Sequence, residues 1–291
     1  MKIVVCIKEV LDVTFPFALD PQGLRPLEED VFRRANPADC GAVEVALSIR
    51  EKLGGEVVLL GYGPQRVEST LRDCLAMGAD RAVRVWDERV DAGSQAKAHI
   101  LARAVQALGA DLVLCGARSL DEGSGETPAA LAEFLGFAQV TAVTDLEIAL
   151  DGKKATASRK LEKGRRVAIE CPLPAVLALE EGVQQPRYAA LSSLLEAKRA
   201  QVDLLDQERL GLDAAEVRRL DSLRRQVRRA LPRPRPKKTF NLESGLTAEQ
   251  RMELMMSGGA RQSKSDLLEG SPQDVGRKLA DILQEKVLKK S

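Results

Sequence analysis

The sequence predicts an α/β fold with a mostly parallel, doubly wound sheet and a C-terminal arm that ends in a helix. Three observations carry this. Short β-branched runs alternate with helical stretches through the first two-thirds of the chain. The first run, Ile3 to Ile7, is continuously apolar, as suits a strand buried on both faces. Glycines punctuate the changes from one pattern to the next.

Each element follows in order. Ile3 to Ile7 is the first strand. After a loop rich in proline and acid, Asn36-Pro37-Ala38-Asp39 precedes a helix, with Asp39 in the N-cap position. Ala42, Ala46, Ile49 and Leu53 line one face of that helix, and Gly54-Gly55 ends it. Val57 to Leu60 is the second strand. Gly61-Tyr62-Gly63-Pro64 turns into a helix that runs through Met77 and closes at Gly78. Arg81 to Trp86 is the third strand, Gln95 to Leu108 a helix, and Asp111 to Cys115 the fourth strand. Gly116 to Glu126 is a polar, Gly-rich loop. Thr127 as N-cap and Pro128 as first helical residue begin the next helix, since proline there lacks only an N–H that would be orphaned anyway. From about Val140 the pattern becomes extended. Leu150-Asp151-Gly152-Lys153 reads as a hairpin turn and Pro172 to Leu179 as one further apolar strand. Residues 1–215 then form the α/β domain, and residues 216–291 a basic, Pro-containing arm closed by an amphipathic helix over roughly Pro272 to Leu288. Within the arm, Arg218 to Lys238 holds ten basic residues against one acid, and Pro232-Arg233-Pro234-Arg235-Pro236 is extended because proline excludes a helix.

Composition narrows the function. The chain has 291 residues, 44% apolar and 30% charged, which excludes a disordered, collagen-like or membrane-spanning protein. A net charge of +1 and 3% aromatic residues supply neither the field nor the stacking surface that nucleic acid needs. The apolar run at the start is too short for a secretory leader and has no small-residue cleavage site, so neither secretion nor membrane insertion is expected. Cys6, Cys40, Cys74, Cys115 and Cys171 are dispersed without a CxxC pair, which suits reduced core thiols in the cytoplasm. With His99 the only histidine, no multi-histidine metal site exists; it sits in a helix, away from any nucleophile, and reads as an ordinary boundary residue.

In a parallel sheet, ligands bind beyond the carboxyl ends of the strands. Four segments lie there: Cys6; Asn36, Pro37, Ala38 and Asp39; the Gly61-Tyr62-Gly63 turn, with Tyr62 as its candidate contact; and the loop Gly116, Ala117, Arg118, Ser119, Leu120, Asp121, Glu122, Gly123, Ser124, Gly125, Glu126, Thr127. In the last, Gly123, Ser124 and Gly125 let the backbone approach a ligand, Ser124 and Thr127 offer hydroxyls, Arg118 adds charge, and the helix start favours a phosphate. Asp121, Glu122 and Glu126 suit ribose hydrogen bonding or helix capping. The plain alternative is a surface loop of turn formers. No GxxxxGK[ST] and no GxGxxG follows a strand, so neither phosphoryl transfer nor a Rossmann dinucleotide site is indicated, and no catalytic pair stands out. The residues describe an adenine-nucleotide-binding type of domain without visible catalytic machinery.

Read in order, these segments resemble the β subunit of electron transfer flavoprotein. The likeness is carried by Lys2-Ile3-Val4-Val5-Cys6-Ile7-Lys8, Asn36-Pro37, Gly61-Tyr62-Gly63-Pro64, Leu75-Ala76-Met77-Gly78-Ala79-Asp80-Arg81 and Asp111-Leu112-Val113-Leu114-Cys115-Gly116. Pro174-Ala175-Val176-Leu177 and Pro186-Arg187-Tyr188-Ala189-Ala190-Leu191 continue it to about residue 213, and the final helix after Leu267-Leu268-Glu269-Gly270 also fits. The resemblance implies an αβ heterodimer in which the α subunit carries the redox FAD and this chain binds AMP or, in an electron-bifurcating branch, a second FAD. It implies that Cys6, Asn36 to Asp39, Tyr62 and Gly116 to Thr127 form the nucleotide site, the same segments the strand-end argument selects. It also implies that Pro186, Arg187, Tyr188 and Leu191 dock a partner dehydrogenase, Leu191 being the apolar anchor; the alternative is that Leu191 begins a helix and packs inward.

The chain departs from the family in two places. Where the family runs through an acidic residue and Asp-Gly-Gly, this chain has the basic Arg159-Lys160-Leu161-Glu162-Lys163-Gly164-Arg165-Arg166, on the side that faces the α subunit's flavin domain in the family. The stretch from Arg218 to Lys238 and the region of Met252, Met255 and Met256 are longer than the common form; the arginines read either as a solvated linker or as an arm around an acidic partner. The implied function is to carry electrons, without bond-making chemistry of its own, from a flavin dehydrogenase of acyl-CoA type, as in fatty acid oxidation, to a quinone reductase or similar acceptor. The alternatives are an NADH-oxidising bifurcating subunit and, in another class, an adenine-nucleotide sensor resembling universal stress proteins.

Overall fold

In a computed structural model the chain divides into two compact units, Met1–Leu231 and Pro232–Ser291. The structure describes residues 1–20, 24–27, 31–86, 93–206, 208–223, 247–249, 251–252 and 270–286.

The first unit opens with β1 (Lys2–Ile7), followed by the small strands β2 (Glu9–Leu11) and β3 (Arg33–Ala35), which pair with each other. Then come α1 (Pro37–Leu53), β4 (Glu56–Tyr62), α2 (Val67–Leu75), β5 (Arg81–Val85), α3 (Ser94–Leu108), β6 (Leu112–Gly116) and α4 (Thr127–Leu135). A meander follows, of β7 (Ala138–Ile148), β8 (Lys154–Lys160) and β9 (Arg166–Pro172). The unit closes with β10 (Ala175–Leu179), α5 (Leu191–Arg199), β11 (Asp203–Leu205) and α6 (Ala214–Ser222). Nine strands form one sheet in the order β11-β5-β4-β1-β6-β10-β7-β8-β9. The ladders from β11 to β7 are parallel, and β8 and β9 are antiparallel additions. This is the α/β fold with a mostly parallel, doubly wound sheet that the alternating pattern predicts.

β1 lies at the centre because both of its faces are apolar. Ile3, Val5 and Ile7 point into one layer, with α1, α2 and Leu177 and Leu179 of β10; Val4 points into the other, with α3, α4 and α6. Burying each such side chain stabilises the fold by about 2 kcal/mol. Helix α1 can lie close to the sheet because Ala42 and Ala46 face it and are wholly buried. Gly54 ends the helix at φ +73°, and a side chain at Gly55 would strike the Met1 carbonyl.

Three local expectations need correction. Asp39 is not the N-cap of α1: Asn36 holds that position and makes no side-chain cap bond, while Asp39 lies in the first turn with its carboxylate turned elsewhere. Thr127 is likewise the first helical residue of α4, after Glu126 as N-cap. And Pro172 to Leu179 is not one strand. It joins the end of β9 to β10 across Leu173 and Pro174, since proline gives a ladder no donor. Strand β9 carries no clear buried face in the sequence, because Val167 and Ala168 are exposed along with Arg166 and Glu170 and only Cys171 is buried. β7 serves two ladders, its first half pairing with β10 and its second with β8. It bends between them at Ala142, φ +55°. The hairpin at 150–153 is present, with Asp151 Oδ1 accepting from the Lys153 N–H and Gly152 at φ +66°.

Helix α6 spans the composition change near residue 216, and Val217 and Leu220 bury against the α3 layer. Most of the basic run from Arg218 to Lys238, including the Pro-Arg repeat, and Met255 and Met256 lie outside the described residues; Met252 is exposed. In the second unit, α7 (Pro272–Lys286) follows Ser271, which exchanges hydrogen bonds with Asp274.

Candidate functional site

Strands β4, β1 and β6 are neighbours, and their carboxyl ends bring Tyr62, Cys6 and Gly116 to one edge of the sheet. From β1 the chain goes out to β4 and β5 on one side and returns to β6 on the other. The gap beside β1 is therefore the switch point at which such sheets bind ligands.

One buried carboxylate organises this gap. Asp39 is 4% exposed, and its Oδ1 accepts from the Gly116 N–H at 2.9 Å and from Asn36 Nδ2 at 3.0 Å. Its Oδ2 accepts from the Lys8 N–H at 2.8 Å. Burial pushes the Asp39 pKa up to about 6, against the pull of these three donors. Asn36 is equally committed: Nδ2 also donates to the Arg118 carbonyl at 3.0 Å, and Oδ1 accepts from the Leu120 N–H at 3.0 Å. Both side chains thus hold backbone. Gly116 is required here, because a Cβ would run into Asp39 Oδ1, Ala38 Cβ and Asn36 Nδ2.

The loop that Asn36 pins continues through two left-handed glycines, Gly123 at φ +64° and Gly125 at φ +67°. A Cβ on Gly125 would lie 3.0 Å from the Ala117 carbonyl. Arg118, Leu120, Asp121, Glu122, Gly123, Ser124 and Glu126 are exposed, and Ala117, Ser119, Gly125 and Thr127 partly so. The turn leads directly into α4, whose first N–H groups have no acidic side chain in the first turn to satisfy them. Glu126 instead accepts from Ser94 Oγ at 2.7 Å, joining the starts of α3 and α4.

On the β4 side, Tyr62 meets Trp86 edge-on at 5.5 Å, and Lys97 Nζ lies 5.8 Å from the Tyr62 ring centroid. Cys6 is hydrogen-bonded to Cys115 on β6, a bond that with burial drives the Cys115 thiol well above its ordinary pKa. None of the five cysteines is in a disulfide; Cys40 and Cys74 form a second hydrogen-bonded pair, and Cys74, Cys115 and Cys171 are buried. His99 stacks edge-on against Phe134, and burial lowers its pKa.

The segment Pro186 to Leu191 sits apart from this gap, along α1. Arg187 turns inward: its guanidinium grips Glu44 at 2.7 and 2.9 Å and Glu51 at 2.7 Å, and its N–H donates to Glu44 at 3.0 Å. That bidentate grip holds the Glu44 and Glu51 carboxyls below their usual range. Pro186 is exposed, Tyr188 is fully exposed, and Leu191, the first residue of α5, is 73% exposed. Leu191 does not pack inward.

Sequence reasoning missed Lys8, whose position just past a buried strand was its only signal, and Glu44 and Glu51, whose partner Arg187 lies 143 and 136 residues away in the chain. A separate concavity of about 440 Å³ lies against the paired strands β5 and β11, with Arg81, Leu108, Asp203 and Arg209 in its lining. Its lining takes in all of β11, the edge strand of the sheet, which is separated from β1 by β5 and β4. Among the described residues no cluster of three metal-ligating side chains occurs, and no helix is long and apolar enough to cross a membrane.

The family model described as electron transfer flavoprotein domain matches residues 27–210. The beta subunit of electron transfer flavoprotein from Methylophilus methylotrophus is 33% identical over 236 residues, 80% of this chain and 89% of that one. The Thermoanaerobacterium thermosaccharolyticum beta subunit is 35% identical over 219 residues, 75% and 83% of the two chains. Subunit CarD of the caffeyl-CoA reductase-Etf complex from Acetobacterium woodii is 34% identical over 215 residues, 73% and 80%. On a match this long, to a fold whose strand ends converge as described, the chain belongs to the electron transfer flavoprotein family, with the beta subunits as its kin.

Proposed function

We propose that this chain holds AMP at the carboxyl ends of β1, β4 and β6, and that it acts as the β subunit of a heterodimer whose α subunit carries FAD. The observation that supports it best is the turn Gly123-Ser124-Gly125 leading into α4. Left-handed Gly125 and the helix start offer backbone N–H groups, beside a frame that Asp39 and Asn36 hold rigid, while left-handed Gly123 turns the chain with its own N–H held by Ser119 Oγ. Those donors fit a phosphate. Ser124 and Thr127 supply hydroxyls to it, Arg118 supplies charge, and Asp121 and Glu122 have the acceptor chemistry that a ribose needs. Cys6, Pro37, Ala38, Gly116 and Tyr62 line the approach.

The FAD of the partner supplies the redox chemistry. This chain's residues bind, orient and dock. Tyr188 and Leu191, exposed on a loop that Arg187 fastens to α1, form the contact with a flavin dehydrogenase of acyl-CoA type, and a quinone reductase or similar acceptor takes the electrons onward. The proposal includes a cytoplasmic location and an α/β domain over residues 1–215 with the arm beyond it. Family membership displaces the stand-alone sensor reading.

A second reading has its own support. The CarD relative belongs by name to a reductase complex, and the open side of Gly123 and Gly125 suits a diphosphate, as a bifurcating subunit with FAD in this chain and NADH as donor requires. One experiment separates the two. The complex purified through a tag on this chain is denatured, and its FAD and AMP are counted. One FAD and one AMP support the carrier; two FAD and no AMP transfer the assignment to bifurcation; adenine nucleotide without flavin or a second subunit overturns both.

A further inference from the structure

We propose that Lys8 is a positioning residue for the loop Ser119–Gly123, locking its shape before a ligand arrives and neutralising the carboxylates that would repel a nucleotide phosphate. The second half of this role rests on the nucleotide reading above.

The geometry begins with the backbone. Lys8 is the first residue beyond β1; its N–H donates to Asp39 Oδ2 at 2.8 Å and its carbonyl accepts from the Asn36 N–H at 2.9 Å. The side chain therefore leaves from a fixed point. Its ammonium has three donors, and each finds an acceptor on the facing loop: Asp121 Oδ1 at 2.8 Å, Glu122 Oε2 at 3.0 Å and Ser119 Oγ at 3.3 Å. Ser119 Oγ passes the constraint on, because it also accepts from the Gly123 N–H at 3.2 Å. A continuous path thus runs from β1 through Lys8 and Ser119 to the first of the two left-handed glycines.

Charge gives the second half. Between Gly116 and Thr127 stand three carboxylates, Asp121, Glu122 and Glu126, against the single guanidinium of Arg118. The loop's own charge is −2, which opposes a phosphate, and Lys8, in contact with Asp121 and Glu122, halves it. Its effect is already visible at Asp121. Burial resists ionisation there, but hydrogen bonds from Lys8, Ser119 and the Glu122 N–H outweigh it and hold the pKa below the usual value. An isolated ion pair at a surface contributes little; three acceptors converging on one ammonium with an anchored backbone make a network.

The test uses the full-length chain in the complex with which it purifies, stripped of nucleotide, as wild type, Lys8→Met and Lys8→Arg. Amide hydrogen exchange is followed without nucleotide, with β10 amides reporting that the fold is intact. The expected result is exchange at residues 119–123 at least tenfold faster in Lys8→Met, largely restored in Lys8→Arg, with β10 unchanged. Equal exchange in wild type and Lys8→Met overturns the positioning role whatever binds there. Titration with AMP and with adenosine reads the charge role: AMP affinity falls at least tenfold in Lys8→Met while adenosine affinity falls clearly less. Equal falls overturn the neutralisation. A wild type that binds neither overturns the nucleotide reading, and the exchange result still decides the positioning role.

Discussion

Asp39 Oδ1 accepts a hydrogen bond from the Gly116 N–H at 2.9 Å, across 77 residues of sequence. The first turn of α1 is thereby tied to the end of β6, and the gap between β1 and β6 has a fixed width. Gly116 bears the steric side of this arrangement, since any Cβ there meets Asp39, Ala38 and Asn36.

Gly116→Ala is accordingly expected to destabilise the first unit by about 1–3 kcal/mol, the usual range for forcing an atom into filled space. Urea denaturation followed by far-UV circular dichroism measures it. A midpoint equal to wild type would mean that Asp39 yields without cost.

How much of this was legible in the sequence depends on range. β1 and β4 could be read because both faces of each are buried, leaving a continuous apolar run. The segments at the strand ends could be read because glycine and Asn-Pro punctuate them. Asp39 could not. A carboxylate near a helix start looks like a cap, and only the fold shows that its partners are the N–H groups of Lys8 and Gly116. Strand β9 was hidden for a related reason: at the sheet's outer edge only Cys171 is buried, and Val167 and Ala168 are exposed along with Arg166 and Glu170, so its apolar residues mark no buried face.

The Asp39 carboxyl also makes a pH prediction. Its pKa is about 6 in the folded chain against an ordinary 3.8, so the folded state binds the proton more tightly than the unfolded one. Stability from this group is fully present below pH 3.8 and is lost as pH rises towards 6, by up to about 3 kcal/mol at 1.36 kcal/mol per unit. Asp39→Asn does not titrate. The stability of wild type minus that of Asp39→Asn should therefore fall between pH 4 and 6.5 in parallel denaturation series. A flat or rising difference would show that the three N–H donors outweigh burial.

Arg187 and Leu191 should behave differently although they are four residues apart. Leu191 is mostly exposed, so Leu191→Ala should leave stability within about 0.5 kcal/mol of wild type. The same variant should slow electron uptake from the cognate dehydrogenase about tenfold, a loss of about 1.4 kcal/mol. Arg187→Ala should slow it comparably through the loop, and protease cleavage between residues 183 and 190 should rise in Arg187→Ala alone. Unchanged cleavage would refute the anchoring role.

The last prediction concerns the turn itself. Gly125 has φ +67°, where a β-branched residue is strained, and a Cβ would lie 3.0 Å from the Ala117 carbonyl. The loop is exposed, so Gly125→Val can relax by shifting the turn and should cost the fold only about 1 kcal/mol. That shift displaces the N–H groups that lead into α4, and the affinity for AMP should fall by a factor of roughly 30 or more, about 2 kcal/mol. Ser124→Ala removes one hydroxyl without moving the backbone and should cost about fivefold, or 1 kcal/mol. Equilibrium dialysis of the stripped complex against labelled AMP measures both. The order of the two losses is the decisive reading, because a site that reads phosphate through backbone amides suffers more from a displaced turn than from a missing hydroxyl. The reverse order would assign recognition to the Ser124 side chain and remove the reason for glycine on either side of it.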